Sequence, residues 1–180
     1  MILSTHALVG AAIASFVPSH PAAAFVLGFA SHFALDAIPH WDYPIRSASV
    51  NPKICAPMKF DRALFHDVVT IGSDGFFGLV IALFLFASPA TQWVILLGAF
   101  GAMLPDALQF LHARLPHEPL RTLQRFHRWA HSERELKDQV LLGVGSQLLL
   151  VVGITIVTEA AHGNGGLFGA SFAASLAVAP

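Results

Sequence analysis

Charge is what this sequence has least of. Asp, Glu, Lys and Arg together make up 12% of the 180 residues, about half the ~25% of an ordinary soluble domain. Hydrophobic residues reach 55% and mean hydropathy is +0.65, which together name lipid as the solvent. Neither sign dominates: the net charge is −1, so bulk neutralisation of a nucleic-acid backbone is excluded. Cysteine is almost absent. Cys55 alone rules out an internal disulfide and a cysteine-rich zinc finger. The N-terminus has no basic region, and Thr5 and His6 interrupt its first apolar run, so no signal peptide is expected. Gly-x-Ser-x-Gly, a phosphate loop and His-Glu-x-x-His are all missing, which removes the best-known hydrolytic and nucleotide motifs.

Histidine is what the sequence has in excess: ten, as many as Lys and Arg combined. Around them the apolar runs predict an all-α, polytopic membrane bundle of four or five spans. The first two runs, Met1–Val17 and Ala22–Ile38, form a hairpin about Pro18 and Pro21; both are at the short end of the ~17–25 residues a span needs. Later spans are expected over Asp61–Ala87, Thr91–Leu111 and Gln139–Thr158, with Pro105 kinking the fourth because it removes a helical hydrogen bond. The polar stretch His112–Asp138 is expected to be helical after Pro119. Residues 1–162 then make one membrane-embedded domain, followed by a Gly/Ala-rich tail over 163–180, either disordered or a weak sixth helix.

Cationic residues gather on cytoplasmic loops. Arg46, Lys53, Lys59 and Arg62 lie between spans two and three. Arg114, Arg121, Arg125, Arg128, Arg134 and Lys137 lie between spans four and five, and these are all ten. The expected topology is a plasma (bacterial-type inner) membrane protein with a cytoplasmic N-terminus. It brings His6, His32, Asp36, His40, Asp42, His66, Asp67, Asp106, His127 and His131 into one cytoplasmic-side polar cluster, leaving His20, His162 and Glu159 opposite. Polar loops and helix ends account for Asp42 and Asp61 without any function. They account poorly for His32, Asp36, Asp74 and Asp106 inside apolar runs, where carboxylates are costly and face a bundle interior or a watery cavity.

Four constellations carry candidate chemistry. His32 and Asp36 are four residues apart and stack on one helix face; His40 and Asp42 follow Pro39 and are second choices, since the residue before a proline disfavours continued helix. His127 and His131 share a face if that segment stays helical, with Glu135 extending it; the competing reading is a basic amphipathic helix lying on anionic lipid. Asp106 follows Pro105 at the end of an apolar helix, with no cation nearby in sequence. His66 and Asp67, beside Thr70 and Asp74, are weaker ligand candidates. His6 is as consistent with a satisfied core histidine as with a ligand. Imidazole with carboxylate suits a divalent metal, zinc first, as one or two ions held by His6, His32, Asp36, Asp106, His127 and His131.

THALVG, SHFALD, GAMLPD and HRWAHS together resemble motifs of the LexA-regulated, membrane-bound metal-dependent hydrolase family. The matches fall on His6, on His32 and Asp36, on Asp106, and on His127, Arg128, His131 and Ser132. The motif order is rearranged: Ser-His-x-x-x-Asp precedes Leu-Pro-Asp here, Leu108 stands where a second aspartate is expected, and HRWAHS lacks a glycine and a threonine. A similarity to the all-helical zinc-dependent phospholipase C and P1 nuclease group is fainter. The resemblance implies a hydrolase using metal-activated water at the cytoplasmic face, on a phosphoester or another small or lipid-like anionic substrate. Arg128 would hold the anion, since guanidinium matches phosphate oxygens, and Asp42 or Glu135 would accept a proton. The alternative is a non-enzymatic membrane protein, either an ion carrier or a scaffold. A carrier places its ligands near the midplane, whereas these donors gather at one end. Beyond the lipid bilayer, no partner and no oligomeric state follow from the sequence.

Overall fold

The structure is a computed structural model that describes residues 1–47, 60–134, 136 and 138–163. Among those residues the chain forms six helices and no β-strand: α1 (Leu3–Ser15), α2 (Pro21–Asp36), α3 (Arg62–Phe86), α4 (Gln92–Arg114), α5 (Leu120–Ala130) and α6 (Val140–Ala161). Cys55, Lys53, Lys59, Glu135, Lys137 and the tail after Gly163 lie outside the described residues.

The helix ends follow from local chemistry. Pro21 opens α2, where a missing N–H costs nothing. Asp61 caps α3 by accepting hydrogen bonds from Ala63 N at 3.0 Å and Leu64 N at 3.1 Å. Pro39 stops α2 at Asp36. Pro105 does not end α4, which runs on to Arg114. Among the described residues of the polar segment after Pro119, the helix is α5, whose C-cap His131 has φ −70° and ψ 136°.

α3, α4 and α6 are long and apolar enough to cross a membrane. α1 and α2, at 13 and 16 residues, are about 20 and 24 Å long, short of the ~30 Å hydrocarbon core. α1 is apolar all round, as a buried helix must be, and packs against α2, α3, α4 and α6. It shares its distal end with α6: the Phe16 and His162 rings lie 4.9 Å apart.

Glycines let the backbones close on each other. A Cβ at Gly10 or Gly28 would strike the Gly98 carbonyl, and one at Gly101 would strike the Phe25 carbonyl. Small residues at such crossings are the usual means of close helix approach in a membrane. Here they bring α1, α2 and α4 together one to two turns from His6, His32 and Asp106.

Candidate metal centre

α2 presents His32 and Asp36 on one face, and both are almost fully buried. Asp106 comes from α4, about two turns before that helix ends at Arg114. His127 comes from the last turn of α5 and is buried. The α2 and α5 ends are tied by backbone: Ser132 N donates to the Asp36 carbonyl at 2.7 Å and Leu136 N donates to the His40 carbonyl at 3.0 Å.

The four side chains converge. Asp36 Oδ2 lies 3.1 Å from His32 Nε2 and 3.2 Å from His127 Nε2. The two Nε2 atoms are 3.3 Å apart. Asp106 Oδ1 lies 3.7 Å from His32 Nε2 and 3.9 Å from His127 Nε2. Zinc ligands at 2.0–2.1 Å in a tetrahedron stand about 3.3–3.4 Å from one another. The five separations bracket that edge, so these residues fit a small divalent cation.

Tautomers point the same way. His32 Nδ1 is 2.9 Å from the Ala102 carbonyl oxygen. A carbonyl cannot donate, so Nδ1 carries the proton. That leaves the Nε2 lone pair toward Asp36 and His127, where a cation or the His127 Nε2–H would satisfy it. Metal-bound histidines are held by this kind of Nδ1–H contact.

A second group adjoins the first through Asp36. His40 Nδ1 lies 2.6 Å from the Ile38 carbonyl and His131 Nδ1 lies 3.0 Å from the Ser132 carbonyl. Their Nε2 atoms approach the same oxygen, Asp42 Oδ2, at 2.9 and 3.4 Å. His40 Nε2 is 3.8 Å from Asp36 Oδ1. The Met1 ammonium lies 2.9 Å from Asp36 Oδ1 and 2.8 Å from Asp42 Oδ1. Burial opposes the Asp42 charge, yet His131 and His40 hold its carboxyl well below the ordinary range. The Asp42 contact in turn raises His131 above its usual value despite partial burial.

The ligand candidates therefore sort into sets. His32, Asp36, Asp106 and His127 form one group, and Asp36, His40 and His131 another, the donor atoms in each lying within 4.8 Å of one another. His131 does not share a helical face with His127, because α5 ends before it. His6 belongs to neither group. It stacks on His32 at 4.1 Å and points Nε2 at Asp36 Oδ1 from 3.2 Å, while neither of its ring nitrogens has hydrogen-bond geometry. Arg128 is exposed on α5. His66 and Asp67 lie away from both groups: Asp67 accepts from Arg46 N and Ser47 N at 2.9 and 2.8 Å. Together they line a cavity of about 230 Å³ with Trp41, Tyr43, Pro44 and Thr70. Glu135 is outside the described residues.

Sequence reasoning undervalued His40. The helix register is lost at Pro39, and the bond from Leu136 N to its carbonyl holds the His40 backbone against the α5 end. Gln147 of α6 was not anticipated at all. It accepts from Ile2 N at 3.0 Å and donates to the Trp41 carbonyl at 3.0 Å, holding both strands of chain that flank Asp36. No protein-family model, curated protein or solved structure matches this chain.

Proposed function

We propose that this chain is a membrane-embedded, metal-dependent hydrolase of phosphoesters, with its metal centre at His32, Asp36, Asp106 and His127. The observation that carries the reading is the set of five separations of 3.1–3.9 Å among these four side chains, three of them buried, with the His32 tautomer fixed by Ala102. A divalent ion, zinc by ligand preference, would lower the pKa of a bound water from about 16 to about 7 and stabilise a developing oxyanion.

The chain's own residues supply the rest. Arg128 follows a ligand directly and offers an exposed guanidinium for an anionic substrate,. Trp41 and Tyr43, the chain neighbours of Asp42, line the cavity of about 230 Å³ shared with His66 and Asp67, which would take a headgroup-sized ligand. The bundle, with α1 and α2 as an embedded hairpin beside the three crossing helices, faces its cluster to the cytoplasm of a plasma membrane. Arg46, Arg62, Arg121, Arg125, Arg128 and Arg134 all sit on connections or helices at that end, which supports the orientation. The resemblance of SHFALD, GAMLPD and HRWAHS to metal-dependent hydrolase motifs supports the reaction class.

Two measurements on detergent-purified full chain test the reading. Elemental analysis is expected to find stoichiometric divalent metal, and its absence after zinc loading sinks the metal centre. A phosphoester screen is expected to show turnover that His32→Ala abolishes. Stoichiometric metal without turnover would leave a carrier or scaffold in its place.

A further inference from the structure

We propose that Asp36 bridges two ions, the second held by His40, Asp42 and His131. This rests on the reading of the His32 cluster as a metal centre and adds a second site to it.

The two oxygens of Asp36 serve different neighbours. Oδ2 faces His32 and His127 at 3.1 and 3.2 Å. Oδ1 faces the Met1 ammonium at 2.9 Å, His6 at 3.2 Å and His40 at 3.8 Å. A carboxylate with a separate donor set on each oxygen is disposed to bridge.

The second set repeats the logic of the first. His40 and His131 both commit Nδ1–H to a backbone carbonyl. Their Nε2 atoms then converge on Asp42 Oδ2 at 2.9 and 3.4 Å. With 3.8 Å from His40 to Asp36, these separations again bracket the ~3.3 Å edge of a tetrahedral zinc site. His40 is buried, and His131 and Asp42 are partly exposed beside it. The Met1 ammonium neutralises Asp36 Oδ1 and Asp42 Oδ1, and a second ion would take over that role. A divalent ion there would be held by Asp36, His40 and His131, whose donor atoms lie within 4.8 Å of one another, with Asp42 Oδ2 beside both histidines. Two ions on a shared carboxylate also suit a phosphoester substrate, since a metal pair stabilises both the attacking and the leaving oxygen.

The test uses chelator-stripped full chain in detergent, titrated with Co²⁺ and followed by metal analysis and electron paramagnetic resonance. Wild type is expected to take up two ions per chain. The signal of the first is expected to weaken as the second binds, through spin coupling across Asp36. Asp42→Asn and His131→Ala should each bind one ion with an uncoupled signal, and His32→Ala should do the same from the other side. Uptake of one ion by wild type, unchanged in Asp42→Asn, overturns the second site and leaves the first standing. Two ions with additive, uncoupled signals overturn the bridge. No uptake at all defeats the metal reading and this proposal with it. The coupling readout needs only wild-type protein, so a variant that fails to fold does not decide the matter.

Discussion

His32 Nδ1 lies 2.9 Å from the carbonyl oxygen of Ala102, so α4 fixes the tautomer of a histidine carried by α2. The contact aims Nε2 at Asp36 and His127. Losing an outer-shell partner of a metal ligand typically costs ~10–100-fold in affinity, and losing the ligand itself costs at least that. His32→Ala is therefore expected to weaken zinc binding about 100-fold or more, read by competition with a chromophoric chelator. Unchanged affinity would remove His32 from the centre.

Much of this was readable before any coordinates, and the gaps have physical causes. Hydropathy and proline placement located α3, α4 and α6 to within a few residues, because apolar runs and helix breakers are local signals. The four-residue spacing of His32 and Asp36 gave their shared face, since α2 is regular there. His40 and His131 were harder. Both lie just past helix ends, where the backbone is placed by hydrogen bonds from other segments, Leu136 N to the His40 carbonyl and Ser132 N to the Asp36 carbonyl. Nothing local encodes those bonds. The short hairpin helices α1 and α2 likewise owe their place to crossings at Gly98, a property of pairs of positions rather than of any one run.

Those crossings make a prediction about stability. A Cβ at Gly28 meets the Gly98 carbonyl backbone, which cannot step aside without moving a helix. Overpacking of this kind costs about 1–3 kcal/mol. Gly28→Ala is expected to lower the thermal midpoint in detergent and to weaken metal binding, because α2 and α4 carry His32 and Asp106. Gly145→Ala is the control. Its Cβ would meet nothing, and helix propensity favours alanine by roughly 0.5–1 kcal/mol. Equal midpoints for the two variants would mean the Gly28–Gly98 approach does not hold the bundle.

The Asp42–His131 pair sets a pH dependence in metal-free protein. Asp42 is depressed below its ordinary 3.8, so its contribution is present above 3.8 and lost as pH falls through the folded value. His131 is raised above its ordinary 6.5, so its contribution is complete below 6.5 and lost as pH rises through the folded value. Without metal, the pair therefore stabilises most between those two pH values. The thermal midpoint of stripped protein, followed by intrinsic tryptophan fluorescence, is expected to decline above pH 6.5. Zinc requires neutral imidazole, so adding it should restore the midpoint at pH 8 and release protons at pH 6. Asp42→Asn should flatten the metal-free profile. An unaltered decline in that variant would assign the dependence to another group.

Arg128 lets substrate binding be separated from metal binding. It follows His127 in α5 but points outward, so its replacement should leave the ligand set intact. A hydrogen bond to a charged group contributes about 1.5–3 kcal/mol, or roughly ten- to hundredfold in binding. Arg128→Gln is expected to raise KM for a phosphoester by about that factor, with metal content unchanged and kcat altered much less. The profile distinguishes an anion-holding residue from a membrane anchor. An anchor would act equally on neutral and anionic substrates, and its loss would be offset by reconstitution into vesicles rich in anionic lipid. A KM for phosphoester that does not move, or one that moves equally for an uncharged ester, would take Arg128 out of the substrate site.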